Sequence, residues 1–214
     1  MAEDYIRGLR IAITGHREYP DRSALFNGLD RLRAREYFFG GARGVDSDAL
    51  QYIARTQPRS IRTVVVPNRV LDQPVQARAM IQRHATRVIE LRNTGADRYM
   101  VRNRFMVDRS TRVHAFYDFR GRGGTYNTIE YARSIGRNVT VQPMISFNID
   151  RYTSMTRPQF NAWVKSMRRH RVGLSSLKKI LLHMIRNVYH TTVGDFSSGI
   201  GTPGVNTLEG MWRQ

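Results

Sequence analysis

The chain has 214 residues, of which 41% are hydrophobic and none is cysteine. That suits one ordinary domain with an appendage or two small domains, and it excludes a disulfide framework and any cysteine-based metal site. The 35 Lys+Arg against 17 Asp+Glu give a formal charge of +18, with arginine strongly preferred over lysine. Such a charge favours polyanionic partners, and arginine favours forked contacts to phosphate, although charge alone also suits an inert basic surface.

The opening, MAEDYIRGLRIAITG, has acids near its front and only a short apolar run before Gly15. Neither a signal peptide nor a membrane span is visible there, and the expectation is a soluble, cytoplasmic protein without a membrane association.

LRIAITG (9–15) reads as a strand, and SALFNGLDRLRA (23–34) as a helix with Leu25, Phe26, Leu29 and Leu32 on its apolar face. EYFFGG, from Glu36, repeats the strand signal. DSDALQYIAR (46–55) repeats the helix signal, with Asp46 placed as its cap. IRTVVVP and TRVIEL read as two buried strands, GADRYMVRNRFMVDRS (95–110) as a helix, and RVHAFYDF (112–119) as a strand. TYNTIEYARSIG closes a further helix at Gly136, and NVTVQP reads as a last strand. Alternation of this kind predicts an α/β fold, a Rossmann-like doubly wound and mostly parallel sheet over residues 1–145.

After Pro143 the rhythm stops. Residues 146–214 carry ten Lys+Arg and three acids. Within them, NAWVKSMRRHRVGLSSLKKILLHMIRNVYH reads as one or two basic helices with an apolar side at Leu177, Leu181 and Met184. The Gly/Ser/Thr-rich end reads as a mobile tail. That apolar side suits docking on a partner, covering its own domain or self-association into a homo-oligomer.

Three glycine-bearing loops follow predicted strands and precede predicted helices: TGHRE from Thr14, GGARGVD from Gly40 and RGRGGTYN from Arg120. In a parallel sheet the carboxyl ends of the strands share one edge, so the loops should converge. Each alone is an ordinary turn. Together, with Arg17, Arg43, Arg120 and Arg122 and the amides of helix N-termini, they predict a site for an anionic, nucleotide-like ligand. The chain has neither the dinucleotide glycine fingerprint nor a lysine-bearing phosphate loop, so no dehydrogenase or NTPase is implied.

RIAITGHRE, FFGGARGVDSDAL and VRNRFMVDRSTRVHAFYDFRGRGGTYNTIEYARSIG together resemble the SLOG superfamily, the Rossmann-like group that includes LOG phosphoribohydrolases, DprA DNA-processing proteins and YspA/YpsA-like proteins. The YspA-like branch is similar in its first-strand TG(S/H)R, its GGARG(A/V)D loop, its RN-x-x-M helix and its GT-containing third loop. The resemblance covers about residues 9–143. It implies ligand contacts from Gly15, Arg17, Gly41, Arg43, Gly44, Asp46, Arg102, Asn103, Gly123, Gly124 and Thr125, and it implies no cofactor. His16, in the first loop, is a further phosphate-binding candidate.

In LOG enzymes a helix arginine and a glutamate just beyond the GGxGT loop serve N-glycosidic hydrolysis. Arg102 matches the arginine and, with Asp46, is the catalytic candidate. The glutamate is unmatched, because Asn127 and Thr128 occupy its place and Glu130 lies two residues too far along, a rotation of roughly 200° on a helix. Asp46 is open to capping, ribose recognition or catalysis. Asp48 reads as solvated and Glu130 as pairing with Arg133 or Arg137. Phe116, Tyr117 and Phe119 read as packing, with Phe119 and Tyr126 also placed to reach a base. The histidines lack metal-ligand spacing. Two functions compete with a ligand-binding site: single-stranded nucleic-acid binding through the basic surface, as in DprA relatives, and a ligand-free interaction protein.

Overall fold

The computed structural model describes residues 8–144 apart from 20, 21 and 120, together with positions 162, 165 and 166. The chain divides into two units, Met1–Ser146 and Phe147–Gln214. Apart from positions 162, 165 and 166, the basic helices and tail expected over 146–214 lie outside the described residues; the sheet and its helices belong to the first unit.

Six strands form one sheet: β1 (Arg10–Gly15), β2 (Glu36–Phe39), β3 (Ile61–Val66), β4 (Arg87–Glu90), β5 (Arg112–Tyr117) and β6 (Asn138–Pro143). Their spatial order is β4-β3-β2-β1-β5-β6 and every pairing is parallel. Five α-helices connect them: α1 (Arg22–Leu29), α2 (Val45–Thr56), α3 (Val75–His84), α4 (Arg98–Arg109) and α5 (Gly124–Ser134).

Period-two alternation in the strands builds a core on each face. Ile11 and Ile13, Tyr37 and Phe39, and Val64 and Val66 point to one side with Leu25, Leu29, Ala49, Ile53 and Ile81 of α1 to α3. Ala12, Phe38 and Val65 point to the other, against Met106 and Val107 of α4 and Ala132 of α5. A fully buried Val, Leu, Ile or Phe side chain contributes on the order of 1.5–3 kcal/mol.

Two expectations need correction. The chain between β3 and β4, which the apolar pattern leaves without an element, contains α3; two parallel neighbours need a crossover, and only Ala77 and Ile81 of this helix are buried, too few to make a strong period. Strand β4 is not a buried strand. It forms the sheet edge, with Arg87 and Val88 exposed.

The order reverses at β1, which feeds β2 on one side but pairs with the later β5 on the other. That is the switch point at which doubly wound sheets open a crevice beyond the carboxyl ends of their strands.

Candidate ligand site

A cavity of about 450 Å³ lies at this switch point. Its walls come from Gly15, His16 and Arg17 after β1, from Gly40, Ala42 and Asp46 after β2, from Tyr99, Arg102, Asn103 and Met106 of α4, and from Gly123, Gly124 and Thr125 at the start of α5. All three glycine loops therefore reach one space, as a parallel sheet requires.

Loop two is shaped from within. Asp46 is the second residue of α2, and its carboxylate folds back to accept the Ala42 N–H at 3.2 Å, while Arg102 Nη1 lies 4.0 Å from the same oxygen. Arg102 Nη1 also donates to the Gly40 carbonyl. A side chain at position 40 would stand in the space occupied by that guanidinium and by Asp46, so only glycine permits the contact. Gly44, with φ of 80°, is the residue before α2, and a Cβ there would run into the backbone of Arg17. Loop one is tied down as well, because Val45 N–H donates to the His16 carbonyl at 3.1 Å.

Asp46 and Arg102 are both buried. Burial pushes the Asp46 carboxyl above its usual range, against the opposing pull of Arg102 and the Ala42 N–H, and burial pushes the Arg102 guanidinium down, against Asp46. The expectation that Asp46 caps α2 is corrected: no side-chain hydrogen bond caps this helix, and the carboxylate organises the preceding loop instead. Arg102 Nε is buried without a hydrogen-bond partner, at the wall of the cavity.

On the neighbouring strand, His16 Nε2 lies 2.9 Å from Asp118 Oδ1, although the alignment is poor for a hydrogen bond. Gly15 pairs in register with Phe116, so His16, one residue on, and Asp118, two residues on, come together where β1 and β5 end. The imidazole stacks on Tyr117 at 5.7 Å. Asp118 is nearly fully buried and backs the histidine rather than lining the cavity.

The third wall supplies backbone donors. Helix α5 begins at Gly124 with no acidic residue in its first turn, so its leading N–H groups face the cavity side uncompensated. Asn103 Nδ2 reaches the Gly124 carbonyl at 3.5 Å and links α4 to this loop.

Gly15, His16, Arg17, Asp46, Arg102, Asn103, Gly123, Gly124 and Thr125 are thus gathered at the cavity, whereas Gly41, Arg43 and Gly44 are not. A side chain at Gly41 would face Val64, Val66 and Ile81 on the α1 to α3 side of the sheet, and Gly44 abuts loop one. Arg43 is exposed beyond the cavity wall. Arg120 lies outside the described residues.

Asp48 is not simply solvated: Tyr19 Oη donates to it and Arg22 Nε lies 3.6 Å away. Glu130 pairs with Arg133 at 3.4 Å, away from the cavity. Phe116, Tyr117 and Phe119 are fully buried, so none presents a face to a ligand. Tyr126 packs near Tyr117, at 6.3 Å between rings.

Two residues that matter here are not evident in the sequence. Tyr99, 42% exposed, is the aromatic at the cavity, with Arg17 at 5.8 Å and Arg98 at 4.9 Å from its ring centre. Asp118 merges with the strand pattern of RVHAFYDF; its place at the carboxyl end of a strand next to the order reversal is the signal that could have found it.

Among the described residues no group of three or more His, Cys, Asp or Glu is placed to hold a metal ion, and no helix is long and apolar enough to cross a membrane. No family model matches the chain and no curated protein matches it. Among solved structures, the chain is similar to that of DNA processing protein A (DprA) from Streptococcus pneumoniae, with 20% identity and a TM-score of 0.51 over 64% of this chain. The matched part spans about half, 51%, of that protein. The likeness concerns the fold, and this chain has a Rossmann-like α/β fold of the same kind as DprA.

Proposed function

We propose that the first unit is a SLOG-type domain, of the YspA-like kind, that binds a small phosphate-bearing nucleotide or nucleotide-derived ligand, such as a nucleoside monophosphate or an ADP-ribose-like molecule. The observation that carries this reading is the meeting of three strand-to-helix glycine loops on one cavity at the point where strand order reverses. Its volume falls within the range typical of small-ligand sites.

The parts divide by chemistry. The amides opening α5 and the exposed Arg17 suit a phosphate, because helix N-termini and guanidinium groups both favour negative charge. Arg102 contributes less net charge, since Asp46 offsets it, and serves mainly to hold Gly40 and loop two in place. Tyr99 offers a π face for a base, and an exposed aromatic beside guanidinium groups suits stacking.

Binding is the core of the proposal, and cleavage would need a different donor set from that of LOG enzymes. Asp46 is engaged by Ala42 and Arg102, and Glu130 by Arg133. Two further acid–base groups line the cavity, the exposed Glu18 and His16, and of these His16 is the one backed by a buried carboxylate, Asp118.

Isothermal calorimetry with AMP, ADP-ribose and inorganic phosphate tests the reading. We expect binding of at least one nucleotide, weakened about tenfold or more by Arg17→Ala, corresponding to roughly 1.4 kcal/mol. No binding of any of them by the folded protein would defeat it. Base release from AMP, followed by chromatography and abolished in His16→Gln, would add hydrolysis.

A further inference from the structure

The opposite edge of the sheet holds a second feature that the glycine loops do not explain. Because every strand is parallel, all strand starts and all helix ends lie together there. Arg10, Arg87 and Arg112 are the first residues of β1, β4 and β5, and Arg35 immediately precedes β2. Arg31 and Arg33 follow α1, Arg59 precedes β3, and Arg55 and Arg83 sit in the last turns of α2 and α3.

A basic residue in the last turn of a helix is ordinary, since it complements the helix dipole. That accounts for Arg55, Arg83, Arg109 and Arg133. It does not account for Arg10, Arg31, Arg35, Arg59 and Arg112, which lie outside any helix's last turn. The acids of this edge are already engaged: Glu36 with Arg87 and Thr63, Asp30 with Tyr52, Asp108 with Tyr131, and Glu130 with Arg133. The side chains of Arg35, Arg55 and Arg59 are exposed and make no hydrogen bond or ion pair among the described residues.

Arg33, Arg35 and Arg59 rim an open hollow of about 770 Å³ with a braced floor. Tyr37 Oη donates to Gln57 Oε1 at 2.7 Å, Gln57 Nε2 donates to the Leu32 carbonyl at 3.0 Å, and Ser60 Oγ donates to the Gln57 carbonyl at 2.7 Å. The charges on the rim are all arginine, and the chain has no lysine before Lys165. A surface selected only for solubility has no need of that preference, whereas forked contact to phosphate oxygens does.

We propose that this amino edge, centred on the Arg33, Arg35 and Arg59 hollow, binds the phosphodiester backbone of a nucleic acid. A backbone running across the strand starts would meet a succession of guanidinium groups set by the strand spacing, and its oxygens would accept their hydrogen bonds. An anionic membrane fits less well. Of the exposed large apolar residues, Leu71, Val75, Tyr99 and Met100 belong to the other edge, which leaves Val88 and Ile135 among the described residues, too little to enter a bilayer. The proposal is independent of the ligand cavity.

The test uses the full chain, fluorescence anisotropy with a short mixed-sequence oligonucleotide, single-stranded or duplex, and salt between about 50 and 200 mM. The triple variant Arg35→Gln, Arg55→Gln, Arg59→Gln should weaken binding about tenfold or more and reduce the slope of log affinity against log salt by about 2 to 3. Its melting temperature should match that of the unaltered chain, and Arg17→Ala should bind the oligonucleotide normally. Should the triple variant fail to fold, Arg59→Gln alone, with an expected slope change of about 1, decides the question in its place. An unchanged slope in a folded variant overturns the proposal. So does loss confined to substitutions at Lys165, Lys178 and Lys179, or binding to phosphatidylserine vesicles with none to either oligonucleotide.

Discussion

At the carboxyl edge of the sheet four arginines stand beside acids, and at the amino edge three exposed arginines have no acid partner among the described residues. At the cavity Arg102 faces Asp46, and elsewhere along the same edge Arg22 faces Asp48, Arg69 faces Asp72 and Arg92 faces Glu90. Around the hollow, Arg35, Arg55 and Arg59 face no acid among the described residues. Six glycines mark the carboxyl edge: Gly15, Gly40, Gly41, Gly44, Gly123 and Gly124 all lie at or beyond strand ends. A large net charge therefore does not mark the small-ligand site. The edge with the built cavity carries the exposed Arg17 and Arg43 but also most of the ion pairs among the described residues, whereas Arg35, Arg55 and Arg59 lie on the far side, where shape is open and a long polyanion fits better than a small molecule.

If the carboxyl edge is held by internal pairing, breaking that pairing should cost stability as well as binding. Arg102→Leu leaves Asp46 buried without its cation and removes a donor from Gly40; the expected loss is about 3–5 kcal/mol in urea unfolding. The raised Asp46 carboxyl gives this loss a sign with pH. The unfolded chain ionises Asp46 at lower pH than the folded one, so the variant should lose stability as pH rises from the unfolded carboxyl range and regain it on acidification. Asp46→Asn in the same background should restore part of the loss.

Midway between the edges, burial pushes the His114 imidazole in β5 down to about 4 from 6.5. Above pH about 6.5 both states are neutral and nothing changes. As pH falls from there toward 4 the unfolded chain takes up a proton that the folded chain refuses, so stability drops, by about 3 kcal/mol at most. His114→Gln should flatten this part of the profile in a chemical-denaturation series, and both edges should be lost together with the sheet.

Gly44→Ala forces a side chain into a positive-φ position against the Arg17 backbone. A cost of about 2–3 kcal/mol in thermal or urea unfolding is expected, with loss of nucleotide binding. Gly136, also at positive φ but with open space around its α-carbon, supplies the comparison, and Ala there should cost only about 1 kcal/mol. Equal costs at the two positions would mean that loop one does not press on loop two. The smallest effect belongs to Glu130→Gln, which removes a partly exposed pair with Arg133 and should change stability by less than about 0.5 kcal/mol and ligand affinity not at all. A large loss of affinity would return Glu130 to the site.

Most of the fold is legible along the chain because strands buried on both faces read as short apolar runs and helices as 3.6-residue periods. Helix α3 escapes because Pro74 opens it and its exposed residues outnumber Ala77 and Ile81. Within the site, loops placed after strands can be read as converging, and nine of the twelve residues expected at the ligand do line the cavity. Gly41, Arg43 and Gly44 do not, because the direction in which a loop residue faces depends on local φ and ψ, which a motif does not display. Asp118 and Tyr99 are hidden for the opposite reason: an aspartate at a strand end and a tyrosine in a polar helix start look ordinary until a neighbouring strand or loop stands beside them.

Residue order alone establishes the alternating α/β pattern, the carboxyl-edge position of the glycine loops and the excess of arginine, since each depends on local periodicity or composition. Pairing is another matter. That Asp46 turns back on loop two and meets Arg102, that His16 finds Asp118, and that Arg35 and Arg59 stand together at the amino edge all depend on strand order and register. Those are decided by the joint burial of two apolar faces across residues far apart in the chain, and the partners come together only when that sheet closes.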